Sequence, residues 1–187
     1  MQLLKLQSRG LIGVPGRAEG TDRAAAGHGA FDVTQKQQLD LDNYLPYLLN
    51  RVGFALVESF TAAALKANGL SIDMWRVLAA LSNADEMRQV DLSEKTSIDT
   101  STMSRIVGRL VQMGYVTRSR SKASSREVLV ALSPKGIALV QRTIPIAYQL
   151  EAITAADLPA KELAAVKRAL RHFYGNLAKA RNGRATS

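Results

Sequence analysis

Six basic side chains and no acidic one fall between Ser101 and Arg126: Arg105, Arg109, Arg118, Arg120, Lys122 and Arg126. Such a cluster meets polyanions, because each cation can neutralise a phosphate and release its condensed counterion. The stretch before it, Leu41 to Thr100, holds five basic and eight acidic residues, so the positive charge is local. The bland alternative is a solvated basic surface. No competing chemistry stands out elsewhere. The chain has no cysteine, which excludes disulfides, thiolate metal sites and cysteine nucleophiles. His28 lies in a Gly- and Ala-rich run, and His172 has no second histidine or carboxylate at ligand spacing. The phosphate, dinucleotide, zinc-protease and serine-hydrolase signatures are all missing. Asp85-Glu86 reads as a cap and solvated turn. The expectation is therefore no catalytic residue, no metal and no cofactor.

The cations must be positioned by elements, and the apolar spacing supplies them. Met103, Ile106, Val107, Leu110 and Met113 recur every three or four residues, which predicts an amphipathic helix with that face in the core. Its other face presents Ser101, Arg105, Gly108, Arg109 and Gln112, with Thr102 and Ser104 flanking the N-terminal end. Those side chains are small or basic, so the helix backbone can approach a duplex closely. Arg can bond guanine edges in bidentate fashion, and Ser or Thr can bond bases or phosphates. Asp99 or Thr100 caps this helix and Gly114 stops it. The period then shifts from 3.6 to 2: Val116 and Arg118, and later Val128, Val130 and Leu132, alternate with their neighbours. Ser119 to Ser125 between them makes a charged tip, so the segment predicts a β-hairpin. Interleaved aromatics, the stacking platforms of single-stranded RNA binding, are missing there apart from Tyr115, which favours duplex DNA.

Further helices flank this unit. Leu45, Leu48, Leu49, Val52, Leu56, Phe60 and Ala64 predict one that ends at Asn68-Gly69, with Pro46 in its first turn. Ser71 caps a second, carrying Met74, Trp75, Val77, Leu78 and Leu81. A short third spans Gln89 to Lys95 with Val90 and Leu92 inward. Ser133-Pro134 opens another that runs towards Glu151, with Pro145 kinking it. Asp157 and Pro159 precede the last, where Leu163, Val166, Leu170, Phe173 and Leu177 form a heptad-like seam. That seam suits packing on its own domain or a contact between subunits.

Length and composition agree with a single domain plus a tail. There are 187 residues, 47% hydrophobic and 22% charged, with 25 Lys+Arg against 16 Asp+Glu and a net charge of +9. No run approaches the ~18 apolar residues of a membrane span, and the opening MQLLKLQSRGLIGVPGRAEG lacks the apolar core of a secretory signal. The expectations are a cytoplasmic protein without a membrane partner, residues 1–40 as a flexible extension and 182–187 as a fraying tail.

The fold class so predicted is mainly α with a small β-hairpin wing. The order helix, short helix, helix, hairpin is a winged helix-turn-helix. With LSIDMWRVLAAL (70–81), QVDLSEKTSIDTSTMSRIVGRLVQMGYVTR (89–118) and REVLVALSPKGIAL (126–139) in this order, the chain resembles the multiple-antibiotic-resistance regulator (MarR) family of transcription factors. The resemblance implies a DNA-binding lobe over 70–133 and dimerisation helices over 41–69 and 134–181, within one domain spanning 41–181. It implies a homodimer on a pseudo-palindromic double-stranded operator. DNA-binding positions fall on Thr100, Ser101, Thr102, Ser104, Arg105 and Arg109, and the wing-tip arginine on Arg126, with Arg118, Arg120 and Lys122 beside it. The family's wing usually carries Asp before its arginine. Here the run is Ser124-Ser125-Arg126.

The resemblance further implies release from DNA by a small anionic, often aromatic, effector, an aromatic acid or its coenzyme A thioester. Its crevice would be lined by Tyr44, Tyr47, Asn50, Arg51, Trp75, Arg76 and Tyr148, with Arg51 or Arg76 pairing the anion. Trp75 and Tyr47 are better suited to plain core and interface packing than to lining that crevice. Two further functions fit the same residues: a nonspecific architectural DNA binder, and a ligand-binding protein or enzyme that reuses the fold without DNA.

Overall fold

In a computed structural model, the structure describes residues 38–120 and 127–184. The chain divides into two compact units, Met1–Ser59 and Phe60–Ser187. In the first, Asp40 accepts from the Asp42 backbone N–H at 3.0 Å and from the Asn43 amide at 2.5 Å. Helix α1 (Leu45–Phe60) follows, with Pro46 in its first turn, where a missing N–H costs nothing. Leu45, Leu48, Leu49, Val52 and Phe54 are exposed on it.

The second unit begins as a π turn (Thr61–Leu65) and a 3-10 turn (Lys66–Asn68), closed at Gly69 in the left-handed conformation. The predicted stop at Asn68-Gly69 is where the helix ends, although its last two turns are not α. Helix α2 (Ile72–Leu81) starts at Ser71, whose hydroxyl accepts from the Met74 N–H at 3.2 Å. After strand β1 (Met87–Arg88) come α3 (Gln89–Thr96) and α4 (Thr100–Gln112), then strands β2 (Val116–Arg120) and β3 (Val128–Leu132). Helices α5 (Pro134–Thr154) and α6 (Ala160–Arg184) complete the order. The sheet is antiparallel in the order β1-β3-β2, with Met87 opposite Val130 and Arg118 opposite Val130 on its other side.

One core joins these pieces. Leu65, Val77, Leu78, Leu81, Leu92, Met103, Val107, Leu110, Val130 and Leu139 are essentially inaccessible. They come from the π turn, α2, α3, α4, β3 and α5, so each element contributes apolar side chains to the same interior. Truncating one such leucine to alanine costs about 2–5 kcal/mol. Phe60 and Trp75 pack with ring centroids 5.4 Å apart.

Several expectations are corrected. Val90 is exposed while Leu92 is buried, because residues two apart lie on nearly opposite sides of a helix. Met113 is half-buried at the C-cap rather than in the core. The two-residue strand β1 was not foreseen, being too short to show an alternation. The continuous helix Leu45–Asn68, 24 residues, is long and apolar enough to cross a membrane by length and composition, contrary to the expectation that no segment is. Arg51 and Glu58 lie within it, and an Arg at bilayer centre costs about 2.5–3.5 kcal/mol. Helix α6 extends to Arg184 rather than ending at 181. Of the extension expected over 1–40, residues 1–37 lie outside the described residues, as do 185–187 of the tail.

Candidate nucleic-acid interface

Helix α4 is fixed at its start by Asp99. The carboxylate accepts from the Thr102 backbone N–H at 2.9 Å and from the Ser101 hydroxyl at 2.9 Å. These bonds, the Thr102 backbone N–H first and then the Thr102 and Ser101 hydroxyls, lower the Asp99 pKa from 3.8 to about 2. Hydrogen bonds to the charged form hold it ionised. Four buried side chains, Met103, Ile106, Val107 and Leu110, anchor the inner face of α4.

The outer face is what the spacing predicted. Thr100, Ser101, Ser104, Arg105, Arg109 and Gln112 are exposed, and Thr102 is half-buried beside them. Arg105 Nη2 donates to Thr102 Oγ1 at 3.0 Å. A Cβ on Gly108 would meet nothing within 4 Å, so no neighbour requires a glycine there; the position simply leaves the outer face flat. The first turn of α4 carries no acid beyond its cap, where the ionised Asp99 already takes the Thr102 N–H and answers the positive helix end.

The other end of α4 is clasped by the start of α5. Gly114 takes a φ of +74° to end the helix, a conformation that costs glycine little. Ser133 caps α5 by accepting from the Gly136 N–H at 3.0 Å, and its hydroxyl donates to the Gly114 carbonyl at 2.6 Å. Lys135 Nζ donates to the Met113 carbonyl at 2.9 Å and lies 4.7 Å from the centre of the Tyr115 ring. Gly136 packs so tightly that a Cβ would stand 2.0 Å from the Tyr115 carbonyl oxygen.

Strand β2 leaves α4 and packs against it. Val116, Arg118 and Arg120 point to one face; Val116 is buried and both arginines are exposed, so the hairpin projects beyond the core. At its base, Arg88 holds Asp91 through two bonds of 2.9 and 2.8 Å and reaches Glu127 at 3.5 Å. These bonds, Asp91's first, raise the Arg88 pKa. The sequence expectations include Arg88 only as a charge and assign Glu127 no role. The Arg88/Asp91 spacing of three was the available signal, but Glu127 is 39 residues away. Lys122, Arg126 and the Ser124-Ser125 pair lie outside the described residues.

The expected effector residues fall as follows. Tyr44, Tyr47, Asn50 and Arg51 are exposed at or before the first turns of α1. Trp75 is buried against Phe60. Arg76, exposed on α2, pairs with Asp73 at 3.0 Å, and Tyr148 on α5 is 70% exposed. No group of three or more His, Asp or Glu able to hold a metal occurs among the described residues.

Comparison with known proteins places these features in a group. The model of the MarR family matches residues 70–128. Over 129 residues the chain is 30% identical to the HTH-type transcriptional repressor Rv2887 of Mycobacterium tuberculosis, an alignment covering 69% of this chain and 92% of that protein. Among solved structures it is similar to BpsR of Bordetella bronchiseptica, a protein whose DNA binding is regulated by 6-hydroxynicotinic acid. There the identity is 30% and the TM-score 0.63, over 70% of this chain and 98% of that one. The PcaV transcriptional regulator from Streptomyces coelicolor shares the fold, with a TM-score of 0.69 at 22% identity over 74% of this chain and 97% of that one.

Proposed function

Since the chain belongs to the MarR family of transcriptional regulators, we propose that it is a sequence-specific repressor that binds duplex DNA as a homodimer in the cytoplasm. The carrying observation is the outer face of α4. Arg105 and Arg109 stand exposed among small hydroxylated side chains on a helix whose inner face is locked into the core. A helix held that way fits the major groove, where Arg takes guanine O6 and N7 together. Arg118 and Arg120 lie on the adjacent hairpin to meet phosphate or the narrow minor groove.

The domain assignment follows the same reading: 70–133 binds DNA, and 41–69 with 134–181 pair the subunits. Val166, Leu170 and Leu177 are exposed along α6 in the single chain, and a second copy would cover them. Two-fold symmetry then sets half-sites about one helical turn, ~34 Å, apart.

The effector proposed is a small aromatic acid. BpsR, similar over most of the chain, responds to one. Release is a population shift: the ligand favours a dimer whose reading helices no longer match the operator spacing. Moving the balance from 1:99 to 99:1 takes a preference of about 10⁴-fold.

Footprinting on genomic fragments at several salt concentrations tests the proposal. A protected palindrome with a steep salt dependence is the expected result, and uniform weak coating would instead make the protein an architectural binder. Failure to bind any duplex at low salt would leave only a ligand-binding protein that reuses the fold.

A further inference from the structure

Thr102 falls among the DNA-contacting positions that the family resemblance implies, but its surroundings give it a different task. Its backbone N–H is bonded to Asp99, and its hydroxyl oxygen accepts from Arg105 Nη2 at 3.0 Å. The residue is half-buried, whereas Ser101, Ser104 and Arg105 around it are exposed. The hydroxyl oxygen therefore already has a partner inside the protein.

From this we infer that Thr102 is a positioning residue for Arg105: its hydroxyl oxygen, on a turn pinned by the bond from the Thr102 N–H to Asp99, holds the guanidinium at one orientation before DNA arrives, and so sets the base preference at the pair Arg105 reads. The inference rests on the proposed reading of DNA by α4.

Residues three apart on a helix are neighbours, so the bond forms without bending the backbone. It uses one of the five N–H donors of Arg105 and leaves the others for a bidentate contact with guanine. The acceptor is itself held in place, because the Thr102 backbone N–H is bonded to the ionised Asp99 carboxylate. An arginine left free has many rotamers to give up on binding. Immobilising such a side chain costs about 0.5–1.5 kcal/mol, a factor of about 2 to 12 in affinity. That cost is met in advance here, and only for the rotamer that the Thr102 oxygen can reach.

The test uses the full-length protein and a pool of random duplex DNA, selecting bound sequences with wild type, Thr102→Val, Thr102→Ser, Arg105→Ala and Thr102→Val/Arg105→Ala. Thermal unfolding checks that each is folded, and Thr102→Ala replaces the valine variant if that one is not. The expected result is that Thr102→Val lowers the preference at the base pair relaxed by Arg105→Ala, by about 2- to 12-fold. It should add nothing in the Arg105→Ala background, and Thr102→Ser, which keeps the hydroxyl, should match wild type. A merely structural Thr102 would weaken binding to all sequences and leave the preferences unchanged, which overturns the inference. A changed preference at a different base pair would make Thr102 a direct reader and overturns it equally. If wild type itself enriches no motif, the proposed function fails and takes this inference with it.

Discussion

Lys135, in the first turn of α5, donates its ammonium hydrogen to the carbonyl of Met113, the C-cap of α4, at 2.9 Å. The two residues are 22 apart in sequence, with the whole hairpin between them. Helix α4, proposed to read DNA, and α5, proposed to help pair the subunits, are thus joined through one cation at a negative helix end. The Tyr115 ring beneath the ammonium and the Ser133–Gly114 bond close the same joint.

Replacing Lys135 by Met keeps the aliphatic stem and removes the charge. The helix-end bond and the cation–π contact are both lost, and stability should fall by about 1–2 kcal/mol. Urea unfolding monitored by circular dichroism reads this directly. An unchanged midpoint would mean that solvent replaces the ammonium at no cost.

Gly136→Ala should be far more damaging. The added methyl would stand 2.0 Å from the Tyr115 carbonyl oxygen, and neither backbone segment can retreat without breaking the Ser133 cap. The expected loss is at least about 3 kcal/mol, seen as a large drop in thermal midpoint. Wild-type melting would show that α5 does not need to sit so close.

Asp99 makes the start of α4 acid-sensitive. Its carboxyl titrates at about 2 in the folded chain against an ordinary 3.8, so folding favours the anion. The stability it contributes is complete above pH 3.8 and is lost as pH falls through about 2. Thermal unfolding of wild type and Asp99→Ala over that range should converge towards the acid end. A constant gap between them would remove Asp99 as the titrating group.

Arg120→Ala should lower affinity for every duplex alike and flatten the plot of log affinity against log salt by about 0.9 per lost phosphate contact. Titrations of one fluorescent duplex at several salt concentrations measure the slope. Retention of the full slope would take Arg120 off the DNA.

Much of this frame was visible in residue order. The helical period of Met103, Ile106, Val107 and Leu110 gave α4 its inner and outer faces, and Asp99, Gly114 and Ser133 punctuate elements through local bonds that a sequence displays. The missed features are tertiary. Strand β1 exists only because Met87 and Arg88 find Val130 and Leu129. Nothing near Gly136 announces the Tyr115 carbonyl, and Glu127 meets Arg88 across 39 positions. Val90 misled because a three-residue apolar alternation, Val90-x-Leu92, is a strand pattern laid on a short helix. Within the candidate site, residue types gave Arg105 and Thr102 as separate DNA contacts, and only the folded turn revealed that one holds the other.

The most direct test of the account compares wild type, Arg105→Ala and Arg109→Ala on a duplex recovered by selection and on a scrambled duplex of the same length, at one fixed salt concentration. If α4 reads bases, wild type prefers the selected duplex, and a variant that removes a base contact loses about 1–3 kcal/mol of that preference while its affinity for scrambled DNA changes far less. Equal affinity of wild type for both duplexes, or equal losses on both in each variant, would contradict it.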